Sequence, residues 1–215
     1  MNARRRLFIV LPLLLLLLSA GCSTLLNVQR QPFTVYSPSL AAPSAASADP
    51  GVNWQLIVET PLASATVDTA RMLVMPTPGV LQVFPSARWR DPAPALMRSL
   101  IVQGFDNSGR IVGIGSAASG LRADYALTIE LRDFQLEAQN GAPRAAVRFQ
   151  ASLLDYASNR VLATQAFAVQ SPAAGADAAS AFSAFETALN TIIPQLVDWT
   201  LREGSLAREA SASRR

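Results

Sequence analysis

Between Ala123 and Ala138 the chain reads "ADYALTIELRDFQLEA". Tyr125, Leu127, Ile129 and Leu131 share one face of an extended strand, and Phe134 and Leu136 follow on the opposite parity. Side chains on a strand alternate with period two, so a strand that keeps one face buried changes parity only by inserting a residue. The slip at Arg132 and Asp133 therefore predicts a β-bulge inside one long strand. A strand of this length needs long partners. "QNGA", with Asn140 and Gly141, is a hairpin turn signal, and Arg144 to Leu154 returns with Val147, Phe149, Ala151 and Leu153 inward. "DYASNR", Asp155 to Arg160, turns the chain again before a last strand containing Val161, Phe167 and Val169. Three consecutive antiparallel strands, a meander, are the expected centre of the fold.

The shorter elements are read the same way. In "NWQLIVET" Trp54, Leu56 and Val58 alternate, with Ile57 on the other face. Ala70 to Met75 and Val80 to Phe84 flank "PTPG", whose prolines and glycine predict a turn and hence a short hairpin at a sheet edge. "RIVGIGS", Arg110 to Ser116, reads as a strand whose glycines allow close backbone approach. A lone GxG without a βαβ context does not make a dinucleotide site. In "SARWRDPAPALMRSLIVQG" Asp91 suits an N-cap, Pro92 the first turn and Gly104 a C-cap, with Leu96, Leu100 and Ile101 on one face. Phe182, Phe185, Leu189, Ile192, Leu196 and Trp199 recur at spacings of three and four, the stripe of a helix laid on a sheet. That stripe serves either as core, or as a lipid groove or oligomer contact. Pro194 should kink the helix, because it removes a hydrogen bond to the Asn190 carbonyl. "EGSLAREASASRR" lacks an apolar period, so residues 204–215 are expected to be a disordered tail whose removal, from Ser205 on, leaves thermal stability almost unchanged. The expected fold is α+β: a mainly antiparallel sheet, meander plus short hairpin, with two helices packed on one face.

The N-terminus sets the compartment. Arg4, Arg5 and Arg6 precede an apolar run from Leu7 to Leu18 and the small residues Ser19, Ala20 and Gly21, the layout of a secretory signal peptide over residues 1–21. Twelve helical residues cover about 18 Å, short of a hydrocarbon core of roughly 30 Å. Extending the segment to Leu25 and Leu26 gives the rival reading, an uncleaved anchor. Both send the remaining chain across the membrane. "LSAGC" is similar to a bacterial lipobox, although Ser19 stands where leucine is commoner. This resemblance implies cleavage between Gly21 and Cys22 and lipid attachment at Cys22: a diacylglyceryl group and an N-linked acyl chain, palmitate. Three acyl chains together anchor durably where one does so only marginally. Ser23, rather than aspartate, in the next position implies sorting to the outer membrane. Residues 22–52 then form a lipidated N-terminus and a flexible linker, rich in Ala, Ser and Pro from Ser37 to Gly51. Roughly thirty residues of such chain reach about 30 Å and would hold the domain, residues 53–203, clear of the membrane.

Composition narrows the chemistry. Eighteen Lys+Arg against fifteen Asp+Glu give a formal net charge of +3, for which the three leader arginines account. The mature chain thus has no basic excess to recruit nucleic acid, whatever the pI near 9.7 suggests. Every basic side chain is arginine, and the chain has no histidine and one cysteine. Histidine bases, lysine Schiff bases, disulfides and cysteine or histidine metal sites are therefore excluded. No serine-hydrolase motif or phosphate loop occurs, so the chain is expected not to be an enzyme and to hold no cofactor or metal. A hydrolase using Asp124, Glu130 or Asp133 would need paired, desolvated carboxylates in a deep cleft.

The lipobox, "TARMLVM", "ARWRDPAPALMRSL", "ADYALTIELRDFQLEA", "VRFQASLLDYASNRVLATQAF" and the closing "LVDWTL" together resemble the ABC-type transport auxiliary lipoproteins, the PqiC-like family, from about Trp54 to Leu201. "FTVYSP", Phe33 to Pro38, is a loose version of the short Tyr-rich strand with which family members often begin. The resemblance implies an auxiliary part in intermembrane lipid transport at the periplasmic face of the outer membrane. MCE-domain and ABC transporter components are the implied partners. Two mechanisms fit: a docking subunit, lipid-anchored and oligomerising, or a carrier that holds lipid between sheet and helix. Docking is favoured because the stripe residues suffice for one core without surplus; an open groove at Phe182, Phe185 and Trp199 would reverse this. Arg88, Trp89 and Arg90 are the candidate partner or lipid contacts, with simple packing the alternative for Trp89.

Overall fold

The computed structural model describes residues 32–41, 51–115, 120, 122–138 and 141–213. The leader, Cys22, linker residues 42–50, Ser116 and Asn140 lie outside them. The strand that carries the parity slip is β7 (Tyr125–Glu137), and the sheet is organised around it. It pairs antiparallel with β8 (Arg144–Asp155), which pairs antiparallel with β9 (Arg160–Pro172). This is the expected meander. The ladder shifts once: Leu131 faces Phe149 and Asp133 faces Arg148, leaving Arg132 as the extra residue. Leu131 and Phe134, on opposite parities, are both buried as a result. The turns follow local chemistry: Gly141 takes a positive φ of 70° before β8, and Asn159 one of 54° before β9.

The other edge of β7 departs from an antiparallel expectation. Three strands share it in succession, all parallel to it: β2 (Val52–Val58) at Tyr125, β3 (Leu62–Ala63) at Glu130 and β4 (Arg71–Thr77) at Gln135. The outer side of β2 takes β6 (Ile111–Gly115) in parallel. That of β4 takes β5 (Val80–Trp89) antiparallel, the expected hairpin. Finally β1 (Thr34–Tyr36) joins β5 in parallel. The nine-stranded sheet is thus mixed, antiparallel in its long ladders and parallel where the early strands attach. Turns specify only antiparallel neighbours, whereas parallel pairs need crossovers and leave no local mark.

The first helix, α1 (Ala93–Ser108), starts after Pro92 without a side-chain cap. Asp91, the expected cap, instead pairs with Arg90 at 3.2 Å. The helix closes on Gly109, with φ 61°. Gly104, the expected C-cap, lies inside it, where a Cβ would fall 2.5 Å from Ile193 Cγ2. Here α1 crosses the second helix, α2 (Ala178–Ala212), too closely for a side chain. Gly113 in β6 is a second close approach, its backbone lying against the Gln55 side chain.

Asp177 caps α2: its carboxylate accepts from the Ala179 and Ser180 N–H groups at 3.0 Å each, and from the Ser180 hydroxyl. The Ser180 hydroxyl, then its N–H, holds the Asp177 carboxyl below its ordinary value of 3.8. The folded value lies below the unfolded one, so this capping contribution is complete above 3.8 and is lost as pH falls through the folded value. Asp177→Asn retains a capping oxygen that does not titrate. It should flatten the decline of stability below about pH 4, as measured by denaturant midpoints at successive acid pH values.

The helix continues through Pro194, which sits on its exposed side, to Ala212. The expected disordered tail is therefore corrected. Gly204 is buried, and a Cβ there would lie 2.5 Å from the Trp54 ring. Ala207 packs against the core, and Arg208 reaches Asp124 at 3.3 Å. Gly and Ala carry no apolar signal, yet they let the helix backbone close on a Trp face. Deleting Ser205 to Arg215 should consequently lower stability by about 1–2 kcal/mol in chemical denaturation.

Candidate functional site

The Arg-Trp-Arg triplet ends β5, and strand alternation divides it. Trp89 points inward and is 2% exposed. Its ring meets Phe185 edge-on at 5.1 Å and lies 5.4 Å from Phe134. Its indole N–H, like that of Trp54, is buried without a hydrogen-bond partner among the described residues. Such an orphan costs about 1–3 kcal/mol, against roughly 5 kcal/mol from burying some 200 Å² of indole, so packing wins. Trp89 is therefore a core residue and not a surface contact. Arg88 and Arg90 point outward. The Arg88 guanidinium lies 4.4 Å over the Phe33 ring, and Arg90 pairs with Asp91 and donates to the Ser37 hydroxyl at 3.4 Å.

Those contacts belong to a feature that composition concealed: residues 33–41, expected to be mostly linker, are fastened to the domain. Beyond β1, the Tyr36 carbonyl accepts from the Arg90 N–H at 3.0 Å, and the Tyr36 ring sits 5.0 Å from Phe182. The Ser39 N–H and hydroxyl both donate to Glu186. The Ala41 N–H donates to Asn190 Oδ1 at 2.7 Å, while Asn190 Nδ2 donates to the Ser39 carbonyl at 3.0 Å. Pro38 is buried. The one legible signal was "FTVYSP" itself, too short for periodicity to register.

The space between sheet and helix is filled. Phe185 is fully buried, Trp199 is 4% exposed, and Phe182 is partly buried against Tyr36. Phe167 bridges Phe149 and Trp199 at 5.2 and 5.7 Å. Among the described residues, Phe182, Phe185 and Trp199 line none of the depressions found. Three depressions lie away from these rings and open to solvent. One of about 510 Å³ is bordered by Thr66, Thr69, Arg71, Leu73, Leu81 and Val83. Two others flank α2 against the two ends of β9.

The carboxylates considered for chemistry are all occupied with cations or backbone. Asp124 accepts from the Gln55 N–H at 2.8 Å and from Arg208, and Glu130 pairs with Arg132 at 3.2 Å. Asp133 and Glu137 clasp Arg148 at 3.1 and 2.8 Å. The Glu137 hydrogen bond above all holds Arg148 above its ordinary value, so it stays a cation. Gln135, buried beside them, donates to Asp133 and accepts from the Phe134 N–H. No cluster of His, Cys, Asp or Glu suited to a metal occurs among the described residues, nor a helix long and apolar enough to cross a membrane.

The fold has solved counterparts. The crystal structure of protein XCC0632 from Xanthomonas campestris is 36% identical, matching 82% of this chain and 99% of its own with a TM-score of 0.77. A second crystal structure, 13% identical, shares the fold at a TM-score of 0.57 over 84% of this chain and 99% of its own. Protein bll6063 of Bradyrhizobium diazoefficiens is 27% identical over 174 residues. They make up 80% of this chain, which spans about half of that curated relative (45%). The model of the ABC-type transport auxiliary lipoprotein component matches residues 36–197, from β1 into α2. With three quarters of its length inside that match, the chain belongs to the ABC-type transport auxiliary lipoprotein component family.

Proposed function

We propose that this lipoprotein is a docking subunit of an MCE/ABC-type intermembrane lipid transport system, not an enzyme, held at the periplasmic face of the outer membrane by lipids on Cys22. The carrying observation is the filled sheet–helix interface. A lipid carrier needs an apolar cavity of several hundred Å³, and the residues that would line one, Phe185 and Trp199, are packed against other rings instead. In this reading both helices cover one side of the sheet, which their crossing at Gly104 supports. Glu130, Gln150 and Ser152, on the opposite parity, then present a polar face to an MCE-type partner.

The lipobox reading predicts that Cys22→Ser leaves an unlipidated precursor with its leader uncleaved, read by intact mass. A normally acylated mature protein from that variant would refute it. Crosslinking the intact envelope and recovering the wild-type lipoprotein should bring down an MCE-domain protein. Recovery of stoichiometric phospholipid without a protein partner would overturn docking in favour of a carrier.

A further inference from the structure

The clamp at residues 33–41 changes the distance between anchor and domain. Phe33, the first residue of the clamped segment, is eleven positions after Cys22. Eleven residues span at most about 40 Å. A domain of this size is itself about 40 Å across. With Cys22 lipidated, the surface around Phe33 is held within that span of the bilayer.

That surface has a composition suited to its place. Phe33 and Val35 are 48% and 55% exposed. Arg88, over Phe33, is the cross-strand partner of Arg71, and Arg71 shares the open depression with Leu81 and Val83, both exposed. Neither Arg71 nor Arg88 makes an ion pair among the described residues, unlike Arg90 with Asp91. The stretch from Cys22 to Pro32 contains Arg30 and no acidic residue. Guanidinium groups beside exposed apolar side chains suit phosphate headgroups over acyl chains.

We propose that the patch of Phe33, Val35, Arg71, Leu81, Val83 and Arg88 rests on the anionic headgroups of the bilayer that holds Cys22. This rests on the lipidation of Cys22 proposed above. The contact fixes which way the domain faces and leaves the far end of the sheet for a partner.

The test uses the full lipidated chain in vesicles of phosphatidylethanolamine and phosphatidylglycerol. With Cys22 acylated, Val83→Cys or Gln150→Cys supplies the free thiol for an environment-sensitive dye, and headgroup-nitroxide lipids act as quencher. The position-83 dye should be strongly quenched and the position-150 dye little. Each arginine contributes about fivefold to contact with an anionic surface, so Arg71→Glu with Arg88→Glu should reduce the contacting population by about thirtyfold or more. Arg71→Gln with Arg88→Gln, which keeps apolar stems, should give a smaller loss in the same direction, as should replacing phosphatidylglycerol by phosphatidylcholine. Equal quenching at both positions, or none at 83, overturns the proposal. So does a position-83 dye shielded from aqueous iodide and nitroxide alike, which would mean that a second copy covers the patch. A protein without acyl mass at Cys22 overturns the anchoring reading and this one with it; an acylated protein with an unquenched position-83 dye overturns this one alone.

Discussion

Phe185→Ala is expected to destabilise the domain by about 3–5 kcal/mol, lowering its thermal midpoint by roughly 10 °C. Phe185 is fully buried and joins the inward faces of β5 and β7 to α2, 4.9 Å from Phe134 and 5.1 Å from Trp89. Removing the ring opens a cavity that three separate elements would have to move to fill, which places the cost in the upper part of the range for core truncations. Phe185→Leu keeps most of the volume and should cost about 1 kcal/mol. The size of the loss has functional meaning. An alanine variant within 1 kcal/mol of wild type would show a cluster loose enough to yield space, and a lipid site between sheet and helix would become tenable again.

Gly204→Leu is the second large effect, at about 2–3 kcal/mol by chemical denaturation, and Gly204→Ala tests its sign. Helix propensity alone favours alanine over glycine by about 1 kcal/mol. Contact geometry opposes it: the new Cβ would meet the Trp54 indole at 2.5 Å and 2.9 Å. Trp54 is fixed by its own edge-on contact with Tyr125 at 5.1 Å and has nowhere to retreat. Loss of stability in the alanine variant would establish that the end of α2 is seated on β2; a gain would show that it lifts off freely.

The sequence made the long ladders legible because strand periodicity is local and strict. The slip could be located to Arg132 and Asp133, since Leu131 and Phe134 can both be buried only if one position between them is skipped, and the register assigns it to Arg132. Glycines were harder to read. Gly104 served a helix crossing rather than a helix end, and Gly204 a Trp contact rather than a frayed tail. In each case the sequence shows that a side chain is missing and not what occupies its place. The parallel attachments of β1, β2, β3 and β4 join residues far apart in the chain, and no turn motif announces them. At the candidate site, alternation alone separates inward Trp89 from outward Arg88 and Arg90. It becomes readable once β5 is known to run as far as Trp89, five residues beyond the Phe84 limit expected from sequence. Arg71 was missed because its partner in the patch is fixed by hairpin register, which the turn sequence did not specify.

The clamp also defines a mechanical path. A load applied through the N-terminal tether enters at Phe33 and runs along the axis of β1, whose parallel hydrogen bonds to β5 would be stressed together, in shear. What remains passes to α2 through Glu186 and Asn190, and to the core through Tyr36 and Leu40. If a pull exceeds what these contacts resist, residues 33–41 come away, lengthening the leash by about 30 Å and uncovering the core side chains that Tyr36 and Leu40 pack against. The clamp would thus carry tension on the tether into the core, so that the domain bears the force from the start.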